Sequence, residues 1–180
     1  MSADGKFYKC GFDWGTNTSV IQASLHGKPV NLETDVSPTV VGYPKAGIVP
    51  GILPRGNAPL FGAEAIKYKL HLNLYWPVEL GYVRNQGAAR DFVRYLRGLI
   101  DPREESELWV VVGSPANATK EMDREIREAV TGVFARLLVV PEPFLAAMGY
   151  RDESRLDDPK YHDPVRNSLF VDIGAGTTDL

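Results

Sequence analysis

Three acidic residues, each at the end of an apolar run, are the positions best suited to chemistry. Asp172 follows Leu169-Phe170-Val171, which reads as a buried strand. It opens the stretch Asp172-Ile173-Gly174-Ala175-Gly176-Thr177-Thr178-Asp179, a turn with two glycines and two threonines. Asp13 ends an apolar run from Phe7 and opens Asp13-Trp14-Gly15-Thr16-Asn17-Thr18-Ser19. Glycine lets backbone amides approach a phosphate without a Cβ in the way. Successive N–H groups in such a turn form an anion-binding concavity. A carboxylate beside a phosphate calls for a hard cation between them, and Mg2+ is held by one or two carboxylates plus phosphate oxygens and waters. One such turn after a strand is most often only a turn, and Asp13 alone reads equally as a strand-end cap. Two copies of strand, acid, one residue, glycine and hydroxyl residues are far more specific. The third acid, Glu142, lies between Pro141 and Pro143, whose rings stiffen the backbone around it. Its plainer reading is an acid favoured by the dipole of a following helix.

Positioning these acids requires strands that end at one place. Phe7 to Asp13 reads as a central strand. Val20 to Leu25 continues as a second, with a tight turn at His26-Gly27 and a return over residues 29–32. Thr39 to Tyr43 is another short strand. Pro44, Pro50, Pro54 and Pro59 among Gly47, Gly51, Gly56 and Gly62 forbid long regular elements. That stretch is expected to be an irregular excursion with short strands near 48–53 and 59–61. A short helix follows Gly62, and Leu72 to Trp76 is expected to pack in the core. Apolar residues at three- and four-residue spacing predict helices over 88–100 and 120–138. Leu108 to Val112 fits a buried parallel strand. A short strand over 138–140, a small-residue helix over 144–150, a charged surface loop over 151–167 and a last strand over 168–173 complete the order. That succession argues an α/β sandwich, a mixed sheet with helices on its faces.

Bulk properties bound the function. A chain of 180 residues, 44% apolar, can bury a proper core. A net charge of −3 argues against nucleic-acid binding through a large basic face. One cysteine, Cys10, and three histidines make neither an intrachain disulfide nor a zinc-like cluster. Met1 to Lys6 is short and polar, with no signal core after it, and no window is apolar enough for a transmembrane segment.

The motifs, taken together in chain order, resemble those of the actin-like, sugar-kinase and heat-shock-chaperone ATPase superfamily. Asp13-Trp14-Gly15-Thr16-Asn17-Thr18 resembles its first phosphate motif and Asp172 to Asp179 its second. Pro141-Glu142-Pro143-Phe144-Leu145-Ala146-Ala147-Met148-Gly149-Tyr150 resembles its connecting segment. Gly113-Ser114-Pro115-Ala116-Asn117-Ala118-Thr119 resembles the turn before its long helix. Val40 to Lys45, Tyr75 to Val83 and Phe144 are most similar to the magnetosome-organising bacterial actins. Trp14 departs from the pattern, standing where the superfamily usually has a smaller apolar residue, and the 151–167 loop is longer than expected.

The resemblance implies a ribonuclease H-like, actin-type ATPase. Residues 1–180 would be its N-terminal half, with 43–85 as a small inserted subdomain. The second half, which grips the adenosine, would be absent, so the chain is expected to be truncated and inactive alone. By the same resemblance, Asp13 and Asp172 sit on opposite sides of Mg2+ and the phosphates of ATP. Gly15, Thr16 and Asn17 would cradle one side; Gly174, Ala175, Gly176, Thr177 and Thr178 would cradle the other. Glu142 and Asp172 would be catalytic, Glu142 by polarising the attacking water. The implied protein is a cytoplasmic, cytoskeletal filament ATPase that self-associates and works with magnetosome-associated proteins. A chaperone or sugar kinase of the superfamily, or a non-catalytic assembly module, are the alternatives. No sugar-binding motif is evident, and retention of all three acids argues against a dead module.

Overall fold

The computed structural model describes residues 7–179; the polar stretch Met1 to Lys6 and Leu180 lie outside them. The chain runs β1 (Phe7–Trp14), β2 (Thr18–Leu25), β3 (Lys28–Pro29), β4 (Val36–Pro38), β5 (Val41–Pro44), β6 (Leu60–Phe61), α1 (Gly62–Lys67), β7 (Leu72–Tyr75), β8 (Val78–Glu79), β9 (Tyr82–Val83) and α2 (Gln86–Ile100). It continues with β10 (Glu107–Ser114), α3 (Lys120–Val130), β11 (Arg136–Pro141), α4 (Glu142–Tyr150), α5 (Pro164–Asn167), β12 (Asp172–Ile173) and β13 (Thr178–Asp179).

The main sheet has the order β11-β10-β1-β2-β3, with β4 also on β2. β1, β10 and β11 are parallel, whereas β2, β3 and β4 run antiparallel to their neighbours. The sheet is therefore mixed, as the element order predicts. Alternation along β1 sends Tyr8, Cys10, Phe12 and Trp14 to one face, the period expected of a strand. They join Leu108, Val110 and Val112 of β10 and the apolar stripes of α2 and α3 in the principal core. Burial pushes the Cys10 thiol up to about 12, the opposing field of Arg97 notwithstanding, so it is an inert core residue. On the opposite face, Leu145, Ala146 and Gly149 of α4 line a cavity with Lys9, Gly11 and Val111. Helices thus cover both faces.

The proline- and glycine-rich excursion has its own small core of Val40, Leu53, Leu60, Ala65 and Leu72, beside the three-stranded sheet β6-β5-β7. The strand expected near 48–53 is a series of turns; Gly47, Gly51 and Gly56 take positive φ there, which breaks an extended run. The return strand over 29–32 shortens to Lys28–Pro29. Tyr75 and Trp76, expected in the core, are exposed; Tyr75 meets Tyr43 edge-on at 5.6 Å on the outside of the small sheet.

The helix expected over 120–138 stops at Val130. It starts as expected, with the Thr119 hydroxyl accepting from the Met122 amide at 3.2 Å and acids in its first turn. Gly132 then takes φ 81°, and Arg90 donates to the Glu128 and Thr131 carbonyls at 3.3 and 3.0 Å. These bonds satisfy carbonyls that a helix end leaves open. Val133 and Phe134 remain buried, so their spacing mimics a helical stripe while they sit in a turn. Leu137 belongs to β11.

The charged segment 151–167 is organised around Asp163. Its carboxylate pairs with Arg151 at 3.0 Å and accepts from the Val165 amide at 3.0 Å, capping α5. The last expected strand, 168–173, is also revised. Only Asp172–Ile173 is a strand, and it pairs with β13 rather than with the main sheet. Leu169 and Val171, expected to be buried, are exposed.

Candidate functional site

The parallel strands end side by side. Phe12 pairs with Val112, and Gly113 pairs with Val140. The carboxyl ends of β1, β10 and β11 therefore bring Asp13, Gly113 and Glu142 to one edge of the sheet, where open α/β sheets place their ligands. Asp13 is the penultimate residue of β1, opposite Val20 of β2. The turn Gly15 to Asn17 closes this hairpin. Glu142 is not in a loop between prolines; it is the first residue of α4, directly after β11. The proline-flanked acid and the helix-start acid are thus one feature.

The β12–β13 hairpin folds across this edge. Its turn, 174–177, is closed by the Gly174 N–H donating to the Thr177 carbonyl at 2.9 Å. A Cβ on Gly176 would stand 2.6 Å from Thr16 Oγ1 and 3.3 Å from the Leu80 amide. Only glycine lets the two turns approach this closely. Between them lies a cleft of about 440 Å3 whose lining includes Asp13, Gly15, Thr16, Asn17, Glu142, Asp172 and residues 174–177. All the residues expected at the site converge here except Thr178, which pairs with Ile173 in the hairpin and does not line the cleft. Gly174 reaches the cleft, but its amide is engaged within its own turn and is not offered to a ligand.

Gly113 has a role that its motif alone does not reveal. A Cβ there would lie 2.8 Å from Glu142 Cγ, so the missing side chain makes the slot that Glu142 occupies. Trp14 is buried and stacked on Phe12, with ring centroids 5.1 Å apart. Its bulk is absorbed by the core below the turn, and its indole nitrogen has no partner among the described residues.

The electrostatics favour a cation. Asp13 is open to the cleft, yet its carboxyl is held above the ordinary value. Loss of hydration is the main cause and the like charge of Asp172 the second. A carboxylate whose ionisation is opposed by a neighbouring like charge is relieved by a positive ion beside it. Among the described residues no group of three or more His, Cys, Asp or Glu side chains could hold a metal ion. A cation at Asp13 and Asp172 would take most of its ligands from elsewhere, the pattern of Mg2+ on phosphates and waters.

No protein-family model matches the chain. Two curated relatives do: the actin-like protein MamK of Magnetospirillum gryphiswaldense and that of Paramagnetospirillum magneticum. Each is 30% identical over 175 residues, 94% of this chain, and the match spans 43% and 45% of the respective relative. The chain thus spans less than half the length of the curated relatives it matches. Among solved structures, the MamK double helical filament superposes with a TM-score of 0.67 at 27% identity, covering 79% of this chain and 43% of that one. A non-polymerising MamK mutant bound to AMPPNP gives 0.66 at 26%, covering 81% and 44%. MreB5 of Spiroplasma citri bound to AMPPNP gives 0.59 at 17%, covering 79% and 40%, a likeness of fold. The fold is therefore that of the actin-like structures on which the chain superposes. Within that class the chain is a homologue of MamK over nearly its whole length.

Proposed function

We propose that this chain is the N-terminal half of a MamK-like filament ATPase, with residues 43–85 as its small subdomain. The observation that carries the reading is the convergence of two acid-glycine-hydroxyl turns and Glu142 on one cleft. Phosphoryl transfer asks a protein mainly for positioning and charge stabilisation, and the cleft wall is built from groups suited to both. Backbone amides of the Thr16 and 175–177 turns would hold the phosphates of ATP. Asp13 and Asp172 would hold Mg2+ through waters, and the ion would supply neutralisation of phosphate charge. Glu142, at the root of α4, takes the proton of the attacking water. The relatives support the wider role: MamK forms a double helical filament, and a MamK mutant binds AMPPNP. By extension the whole protein self-associates in the cytoplasm as part of a cytoskeleton and meets magnetosome-associated proteins. Among the described residues no helix is long and apolar enough to cross a membrane.

The test is phosphate release and light scattering by the whole protein with and without ATP and Mg2+. The expected result is Mg2+-dependent release, with scattering that rises on ATP addition. Asp172→Ala should abolish the Mg2+ dependence; a variant whose Mg2+ titration matches wild type would remove Asp172 from the site. ATP turnover without any change in scattering would favour a chaperone-type ATPase over a filament.

A further inference from the structure

Thr39 is fully buried in the link between β4 and β5, and it touches the first turn of the cleft at two points and β2 at a third. Its hydroxyl donates to the Gly15 carbonyl at 2.7 Å. The Ser19 hydroxyl lies 2.8 Å from Thr39 Oγ1, and the Thr39 N–H donates to the Asn17 carbonyl at 2.9 Å. A threonine hydroxyl carries one proton. With that proton committed to Gly15, Ser19 must be the donor to Thr39. The result is a directed relay: Ser19 O–H to Thr39 O–H to Gly15 C=O. Each bond in such a chain polarises the next. Ser19 is also fully buried, so every hydroxyl in the relay is shielded from water. A buried hydroxyl costs free energy unless it is bonded; valine would fill the same space without that cost.

The consequence for the cleft follows from peptide geometry. In a planar trans peptide the carbonyl and the next N–H point in opposite directions. Fixing the Gly15 carbonyl towards Thr39 turns the Thr16 N–H away from it, and Thr16 lines the cleft. We propose that Thr39 is a positioning residue that, with Ser19, locks the Gly15–Thr16 peptide so that the Thr16 amide is held ready for a phosphate oxygen. This inference rests on the nucleotide reading above. It also gives the small core a route to the cleft. Val40, the next residue, packs in the small core, and Val41 packs in the principal one.

The experiment compares Thr39→Val and Thr39→Ser in the whole protein, with AMPPNP and Mg2+ as the titrant. Thr39→Val keeps the shape and deletes the hydroxyl. Its affinity should fall about tenfold, the scale of one lost hydrogen bond to a charged group. Thr39→Ser should stay within about twofold of wild type. The amide 15N–1H resonance of Thr16 should move in the valine variant and return in the serine variant, which a loss of packing alone would not produce. If Thr39→Val does not fold, Ser19→Ala removes the outer donor of the relay and should lower affinity several-fold. Wild-type protein that binds no AMPPNP overturns the nucleotide reading and this inference with it. Wild-type binding with unchanged Thr39→Val affinity, or a serine variant as weak as the valine one, overturns the role of Thr39 alone.

Discussion

The two walls of the cleft carry nearly the same residue pattern on very different supports. Asp13 is the penultimate residue of a strand held between β2 and β10 in the six-stranded sheet, and its neighbour Phe12 is 2% exposed. Asp172 begins a two-residue strand that, among the described residues, pairs only with β13. Its neighbours Val171 and Ile173 are 52% and 77% exposed. One turn is fixed by the core and by the Thr39 relay. The other is closed by a bond inside its own hairpin and leans on Thr16 through Gly176. The same motif can thus be built as a rigid wall or as an adjustable one, and a site that must admit and release a ligand benefits from having both. Local stability falls where buried contacts are few.

Substitutions at the two walls should therefore separate chemistry from closure. The largest effect is expected at the rigid wall. Glu142→Gln keeps the size of the side chain in the Gly113 slot and removes its basicity. Hydrolysis should slow by about 100- to 10,000-fold, with AMPPNP affinity close to wild type; single-turnover phosphate release alongside calorimetry measures both. Wild-type turnover would remove Glu142 from the chemistry.

A matched pair of glycine substitutions sharpens the contrast. Gly113→Ala drives a methyl into the Glu142 side chain. The rate should drop by up to about 100-fold, as a displacement near 1 Å of a catalytic group can cause. Gly176→Ala meets Thr16 instead and pushes the hairpin off its partner. Nucleotide affinity should fall about tenfold. Melting temperature should move by no more than about 2 °C, because the hairpin contributes little burial. Equal losses of stability in both variants would break the comparison between the walls.

The smallest expected effect is a pH dependence. The Asp13 carboxyl is raised in the folded chain, by desolvation first and Asp172 second. Between its unfolded value and the raised folded value, the folded state binds the extra proton. Stability therefore falls as pH rises through that window, and the loss persists above it. Asp13→Asn removes this titration. The difference in melting temperature, variant minus wild type, should grow as pH climbs through the carboxylate range and shrink when Mg2+ is added. A difference that stays flat with pH would mean that the Asp13 carboxyl is not raised in the free protein.

Much of this was legible in the chain itself. The alternation of β1, the stripes of α2 and the apolar run of β10 predict their elements closely, because each is long enough for its period to register. Asp13, Glu142 and Asp172 stand out because an acid at a strand end beside glycine and hydroxyl residues is a local pattern. Elements whose form is set by distant contacts were not legible. The 120–138 helix was overextended because Val133 and Phe134 keep a helical spacing while Gly132 and the reach of Arg90 stop the helix. Leu169 and Val171 look like a buried strand but lie outside the main sheet.

Local order along the chain determined which residues are the candidates for chemistry: apolar strands ending in an acid and a glycine turn, and an acid rooted at a helix start. Only the tertiary structure decided how those residues meet. The parallel register of β1, β10 and β11 puts Asp13 beside Gly113 and Glu142. The contact of Gly176 with Thr16 closes the cleft, and a threonine from a separate strand link orients the first turn. The reason is physical. Strand and turn preferences act over a few neighbouring residues, whereas register, close approach of backbones and buried hydroxyl relays depend on groups that are distant in sequence and meet only when the chain folds.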